Sequence, residues 1–167
     1  MESITIEART YDVKIEPDYD QGLPWEECDA YGVVSEWTTR GKKPEEIVLA
    51  QDRGLCRYYD KAATLEKARR DSWGLAPEEA KGLTPGQITE RAVMKDFEYL
   101  KAFCDDRWIY HGVIVIAPDG AQESLWGVEI GDGIDNDYRR GIAQELADAL
   151  HADWIEKVAA SDHLTHL

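Results

Sequence analysis

Hydrophobic positions along this chain switch several times between a period of two and a period near 3.6, and the switches mark out its elements. Ser3 to Arg9 alternates as a short first strand. Ile47 to Ala50 and Leu55 to Tyr59 are strand-like runs about Gln51-Asp52-Arg53-Gly54, which predicts a hairpin with glycine at the turn. Asp60 then stands as the N-cap of a helix through about Ser72, with Gly74 as its stop. Ala62, Leu65, Ala68 and Trp73 fall on its inner face, and Lys61, Lys67, Arg69 and Arg70 on its outer one. Glu66 precedes Arg70 by one turn, so part of that basic face pairs along the helix surface.

Leu75 to Leu83 reads as a linker-like loop. After it, Thr84-Pro85-Gly86-Gln87 supplies a capping threonine, proline at the first helical position and glutamine three residues after the cap. This helix runs to about Cys104, with Ile88, Ala92, Val93, Met94, Phe97, Leu100 and Phe103 as its apolar stripe. Trp108 to Ala117 and Gln122 to Ile130 are strands joined at Pro118-Asp119-Gly120. From Asp135 or Asn136 the chain turns helical through about Ala159, burying Ile142, Leu146, Ala149, Leu150 and Ile155. The pattern predicts an α+β fold, an antiparallel sheet built from hairpins with about three helices packed on it. It also predicts a single compact domain over 1–167, with an irregular acidic segment over about 10–35 and a frayed tail over about 160–167.

Charge changes this picture more than composition does. Of 34 acids, nine fall in Met1 to Ala30 against two bases, and 13 fall in Cys104 to Leu167 against four. Tyr31 to Phe103 is balanced, with 12 acids and 13 bases. Two acidic ends thus flank a neutral middle, and the net charge of −15 repels nucleic acid and anionic membrane while attracting basic protein surfaces. Six Trp and eight Tyr argue against a disordered acidic tail. The longest apolar run, Val113 to Ala117, is too short to span a bilayer, and Met1 to Thr10 lacks signal-peptide character. Cys28, Cys56 and Cys104 are odd in number and widely spaced, which predicts free thiols and a reducing cytoplasm.

Catalytic and metal motifs are missing from the sequence. There is no Walker-type loop, G-x-G-x-x-G or G-x-S-x-G. His163 and His166 lack the Cys or carboxylate spacing of a closed metal site, and His111 in its strand reads as a packed histidine. Asp132-Gly133-Ile134-Asp135-Asn136-Asp137 departs from a calcium loop, with Ala143 where the closing glutamate belongs, and reads as helix capping. No cofactor, metal or catalytic residue is therefore expected, and whether the chain is an enzyme stays open, with binding favoured.

Several stretches occur together: Val34-Ser35-Glu36-Trp37-Thr38, Asp52-Arg53-Gly54, Arg57-Tyr58-Tyr59-Asp60, Ala68-Arg69-Arg70-Asp71 with Trp73-Gly74, and Ser124-Leu125-Trp126-Gly127-Val128-Glu129. In these the chain resembles a group of small acidic proteins encoded by tailed phages and prophages of Gram-negative bacteria, over about Asp18 to Ile155. The resemblance implies a phage protein acting in a bacterial host cytoplasm and brings no activity or site residues with it.

Three readings follow. The first is a non-enzymatic inhibitor that binds a basic, nucleic-acid-binding host protein (defence or regulatory) by imitating DNA, without touching nucleic acid or membrane itself. Duplex DNA carries one charge per about 1.7 Å of axis, so a competitor needs carboxylates along an extended, rigid face. Asp18, Asp20, Glu26, Glu27 and Asp29 would supply it from the N-terminal side, and Asp132, Asp135 and Asp137 from the C-terminal side. Asp12, Glu16, Glu145, Asp148 and Asp153 would extend it. The second is an accessory interaction module anchored by Trp25, Tyr31 and Trp37, its acidity serving solubility. The third is a small enzyme or ligand-binding domain whose site carries no motif. Oligomeric state and the convergence of the acidic ends are open at this level.

Overall fold

The computed structural model of the protein describes residues 1–165. Its elements run β1 (Glu2–Ile6), β2 (Arg9–Pro17), α1 (Pro24–Glu27), β3 (Glu46–Asp52), β4 (Leu55–Asp60), α2 (Lys61–Arg70), α3 (Pro77–Ala80), α4 (Pro85–Cys104), β5 (Trp108–Ile116), β6 (Gln122–Gly131) and α5 (Asn136–Leu164). All strand pairs are antiparallel, so the fold is α+β as the periodicity predicts. The hairpins fall into two sheets, a four-stranded one in the order β1-β2-β5-β6 and a two-stranded one of β3 and β4. Packing correspondingly divides the chain into two compact units: a terminal unit of Met1–Gln21 with Trp108–Leu167, and a central unit of Gly22–Arg107.

In the terminal unit, the strand expected over Ser3 to Arg9 breaks after Ile6. Glu7 and Ala8 take left-handed conformations (φ 46° and 65°), reversing the chain so that Ile6 faces Arg9. A Glu-Ala pair lacks the glycine or asparagine that usually announces such a turn. The chain then continues as β2, so residues 10–17 of the expected irregular segment are ordered strand. Tyr11 and Val13 point inward while Asp12 and Lys14 stay exposed, the alternation of a sheet with one wet face. Val13 pairs with Val115 of β5, and these side chains meet α5 in a core with Val113, Val128 and Leu150.

The buried stripe of α5 is Ile142, Ala143, Ala147, Leu150 and His151. Ala149 and Ile155, expected there, are exposed. The stripe is rotated because two alanines face the sheet and bring the helix close, and because His151 enters the core by pairing its Nδ1 with the Tyr11 hydroxyl at 2.8 Å. The helix also continues past Ala159 to Leu164, so the expected fraying begins later at the earliest; His166 and Leu167 lie outside the described residues.

Helix signals in the central unit are obeyed closely. Asp60 caps α2 by accepting the Ala63 N–H at 2.9 Å, and Thr84 and Gln87 form the reciprocal capping box of α4. The inner face of α2 is carried by Thr64 and Ala68, whereas Ala62 is exposed. Thr64 tolerates burial because its hydroxyl donates to Asp60 O at 2.7 Å and accepts the Val33 N–H at 3.0 Å. The α4 stripe packs Val93 and Leu100 against Leu49, Tyr59 and Ala68. Two four-residue helices, α1 and α3, occur in segments that read as loops, each opening on proline.

Candidate functional site

Strand pairing decides where the charge goes. Because β2 pairs with β5, Met1–Gln21 and Trp108–Leu167 build one unit, which holds 17 acids and five bases, a net of −12. The central unit also holds 17 acids but 14 bases, a net of −3. Each of the five bases in the terminal unit already faces a carboxylate of that unit. Arg9 lies 3.4 Å from Asp119, Arg139 3.4 Å from Glu2, Arg140 3.5 Å from Asp137 and Lys157 2.6 Å from Asp153, and Lys14 pairs with Glu16. No base of the unit is left to offset the excess. Glu145, Asp148 and Glu156 lie along the outer side of α5, all exposed.

A hollow of about 540 Å³ opens in this unit at the end of β2, lined by Pro17, Asp18, Tyr19, Asp20, Gln21 and Trp126. A register shift between His111 and Val113 sets two residues, Trp126 and Gly127, against Gly112. Gly112 is needed here: a Cβ on it would stand 2.5 Å from Trp126 Cε3, so the bare backbone is what lets the indole lie across the strand. Gly127 turns the chain at φ 73°. Pro17 closes the β2 pairing opposite His111, and the Asp18 N–H makes one further bond to Tyr110 O at 2.8 Å. The Asp18 carboxylate then ties the two edges, accepting from Gly127 N at 3.0 Å and Asp20 N at 3.2 Å. Above this rigid floor Tyr19 is 84% exposed, Trp126 is 47% exposed and Asp20 faces solvent. Carboxylates beside indole and phenol rings suit a basic side chain, which gains both charge pairing and cation–π contact.

Of the residues predicted for partner binding, the structure brings Asp18 and Asp20 together at this hollow. Asp132, Asp135 and Asp137 lie in the same unit, before and in the first turn of α5. There the Asp135 carboxylate caps the helix by accepting Asp137 N at 2.9 Å, and Asp137 pairs with Arg140, which fits the capping reading of this loop. Glu26, Glu27, Asp29, Trp25 and Trp37 belong to the central unit, where the three acids are exposed. Trp25 is partly buried edge-on against Phe103, and Trp25 and Trp37 hold the Arg57 guanidinium at 5.1 and 4.6 Å from their ring centres. These two indoles are already engaged within their own unit. Tyr31 stacks on Tyr99 at 6.2 Å. Tyr19 and Trp126, which line the hollow, are not among the residues predicted for partner binding; the signal available was Gly112 across from a Trp-Gly pair in the second long hairpin.

The central unit offsets its 17 acids with 14 bases, and a few of its carboxylates serve structure. Glu46 is buried and grips Arg40 through two bonds of 2.6 and 2.7 Å, with the Lys43 N–H adding a third at 2.8 Å. The Arg40 guanidinium is the main cause holding its carboxyl down to about 2. Asp96 behaves oppositely: burial lifts its carboxyl above the usual range, against hydrogen bonds from Tyr59 and Gly32. Cys28, Cys56 and Cys104 are free thiols. Among the described residues no group of three or more His, Cys, Asp or Glu is placed to hold a metal ion, and no helix is long and apolar enough to cross a membrane. Comparison of the chain with protein-family models, curated proteins and solved structures gives no match.

Proposed function

We propose that the protein is a non-enzymatic acidic binder that occupies the basic, nucleic-acid-binding surface of a host protein, as a phage product would in a bacterial cytoplasm. The observation that carries this reading is the joining of Met1–Gln21, with six of the nine N-terminal acids, and Trp108–Leu167 into one sheet unit of net −12. A surface meant to compete with a phosphate track must be fixed before binding, since ordering a flexible acidic segment would cost affinity. Sheet, helix and the Asp18 tie supply that rigidity. The hollow beside Trp126 adds a place for one arginine or lysine of the partner, an anchor within a field that otherwise steers encounter.

In the interaction-module reading the anchors would be Trp25 and Trp37, whose rings also meet Arg57, and Tyr31, which stacks on Tyr99; Trp37 keeps 39% of its surface exposed. The experiment is affinity capture from bacterial lysate at low and at high salt. Nucleases or other DNA-binding proteins retained at low salt and released as salt rises support the proposal. A partner held equally at both salts by an apolar contact refutes it.

A further inference from the structure

A second recess lies wholly within the central unit and plays no part in the acidic-surface reading. It has a volume of about 480 Å³ and is lined by Ala30, Trp73 to Ala76, Glu79, Ala92, Lys95 and Asp96. Asp96 is placed by α4 and divides its labour between its two oxygens. Oδ2 accepts both the Tyr59 hydroxyl at 2.7 Å and the Gly32 N–H at 2.9 Å. Oδ1 has no protein partner among the described residues. Gly32 packs so tightly here that an added Cβ would lie 2.6 Å from Asp96 Oδ2 and from the Tyr59 hydroxyl oxygen, so this side of the carboxylate is closed.

Pinning Gly32 and Tyr59 needs one acceptor oxygen, which an asparagine would provide without the cost of a half-buried charge. The second oxygen and the charge are surplus to that structural task. Lys67, whose charge acts on Asp96, spends a hydrogen bond on Tyr31 O at 2.6 Å. Lys95 at the recess is neutralised by Glu79, whose two oxygens it meets at 2.7 and 2.8 Å, so it does not repel a positive guest. Trp73, Leu75, Ala76 and Ala92 offer apolar wall to a short aliphatic chain.

We propose that this recess binds an alkylammonium group, from a free amine or from a lysine side chain, with its nitrogen on Asp96 Oδ1 and its chain along Trp73. An ammonium suits the site better than a guanidinium. A guanidinium prefers two parallel bonds to both oxygens of a carboxylate, and Oδ2 here is already saturated, whereas an ammonium is a point charge that needs one acceptor.

The test is titration of the full-length protein at pH 8 with n-butylammonium, butylguanidinium, n-butanol and N-acetyl-lysine methylamide at matched ionic strength. Binding is read by calorimetry and by tryptophan fluorescence. Saturable binding of butylammonium is expected, with butylguanidinium weaker and butanol without effect. The lysine derivative binding as well as the free amine assigns the guest to a protein side chain; its exclusion assigns it to a small amine. Asp96→Asn should weaken butylammonium by about 10-fold or more, the loss expected for a charged hydrogen bond, while retaining Oδ2-type acceptance of Tyr59 and Gly32. Ala76→Phe, an exposed change at the mouth that leaves Asp96 untouched, should also block binding and guards against an Asn variant that fails to fold. No saturation with butylammonium, equal binding of butanol, or unchanged binding in a folded Asp96→Asn or Ala76→Phe variant overturns the proposal.

Discussion

The two units carry the same number of acids, 17 each, and differ in their bases: five in the terminal unit, 14 in the central one. The strong negative charge of the terminal unit therefore arises from withheld bases and not from accumulated acids. In the central unit carboxylates are spent on structure, as where Glu46 grips Arg40 and Lys95 meets Glu79. In the terminal unit the few bases are used up at Glu2, Glu16, Asp119, Asp137 and Asp153, and the remaining excess has no internal base to meet. A surface selected only for solubility has no need for this segregation, because interspersed charges of both signs serve that end.

The largest effect expected is on the cores that keep the units distinct. Leu100→Ala empties a fully buried position of the central unit, and Leu150→Ala empties a buried position on the sheet-facing side of α5 in the terminal unit. Each should cost about 2–5 kcal/mol in chemical denaturation. Amide exchange then sharpens the comparison: Leu100→Ala should lower protection most in α2 and α4, and Leu150→Ala most in β5 and α5. Near-zero destabilisation by either would mean that its helix face is wrongly assigned, and uniform loss of protection would merge the units into one cooperative body.

Next in size is the floor of the hollow. Gly112→Val places a branched side chain where Trp126 lies and should cost about 1–3 kcal/mol through overpacking. It should also shift the Trp126 fluorescence and weaken partner binding more than Leu150→Ala does, although Leu150→Ala costs more stability. Equal losses for the two variants would make the hollow a passive part of the fold.

Much of this architecture was legible in the sequence where local chemistry is decisive. Thr84-Pro85-Gly86-Gln87 announced the start of α4 because its capping box is made by residues three apart, and Asp60 announced α2 for the same reason. What stayed hidden depends on partners distant in sequence. The Glu7–Ala8 turn is the local exception, hidden because neither residue is a usual turn former, whereas the inward roll of α5 depends on Tyr11 reaching His151 across 140 positions. The gathering of the acidic ends was invisible for the same reason, since it rests on β2 pairing with β5. Nothing local revealed that Arg57 would meet the rings of both Trp25 and Trp37.

The smallest effect concerns acid stability and belongs to the central unit. The folded carboxyl of Glu46 sits at about 2, below the unfolded glutamate value of about 4.3. A depressed folded pKa means the unfolded state binds the proton more readily, so this contribution is complete above about pH 4.3 and is lost as pH falls toward about 2. Glu46→Gln should flatten that part of the stability–pH curve measured by denaturant titration. An unchanged curve would show that Arg40 does not hold Glu46 ionised.

The central claim is that the terminal unit, and not the acidity of the chain as a whole, meets the partner. It is tested most directly by two charge reversals of equal size against the captured partner, read as affinity over a series of salt concentrations. Asp20, Glu145 and Asp148 changed together to Lys alter exposed acids of the terminal unit; Glu26, Glu27 and Asp29 changed to Lys alter exposed acids of the central one. The first triple should weaken binding about 10-fold or more at low salt and flatten its salt dependence. The second should leave both close to those of the native protein. Equal losses from the two triples, or a loss confined to the second, would contradict the account.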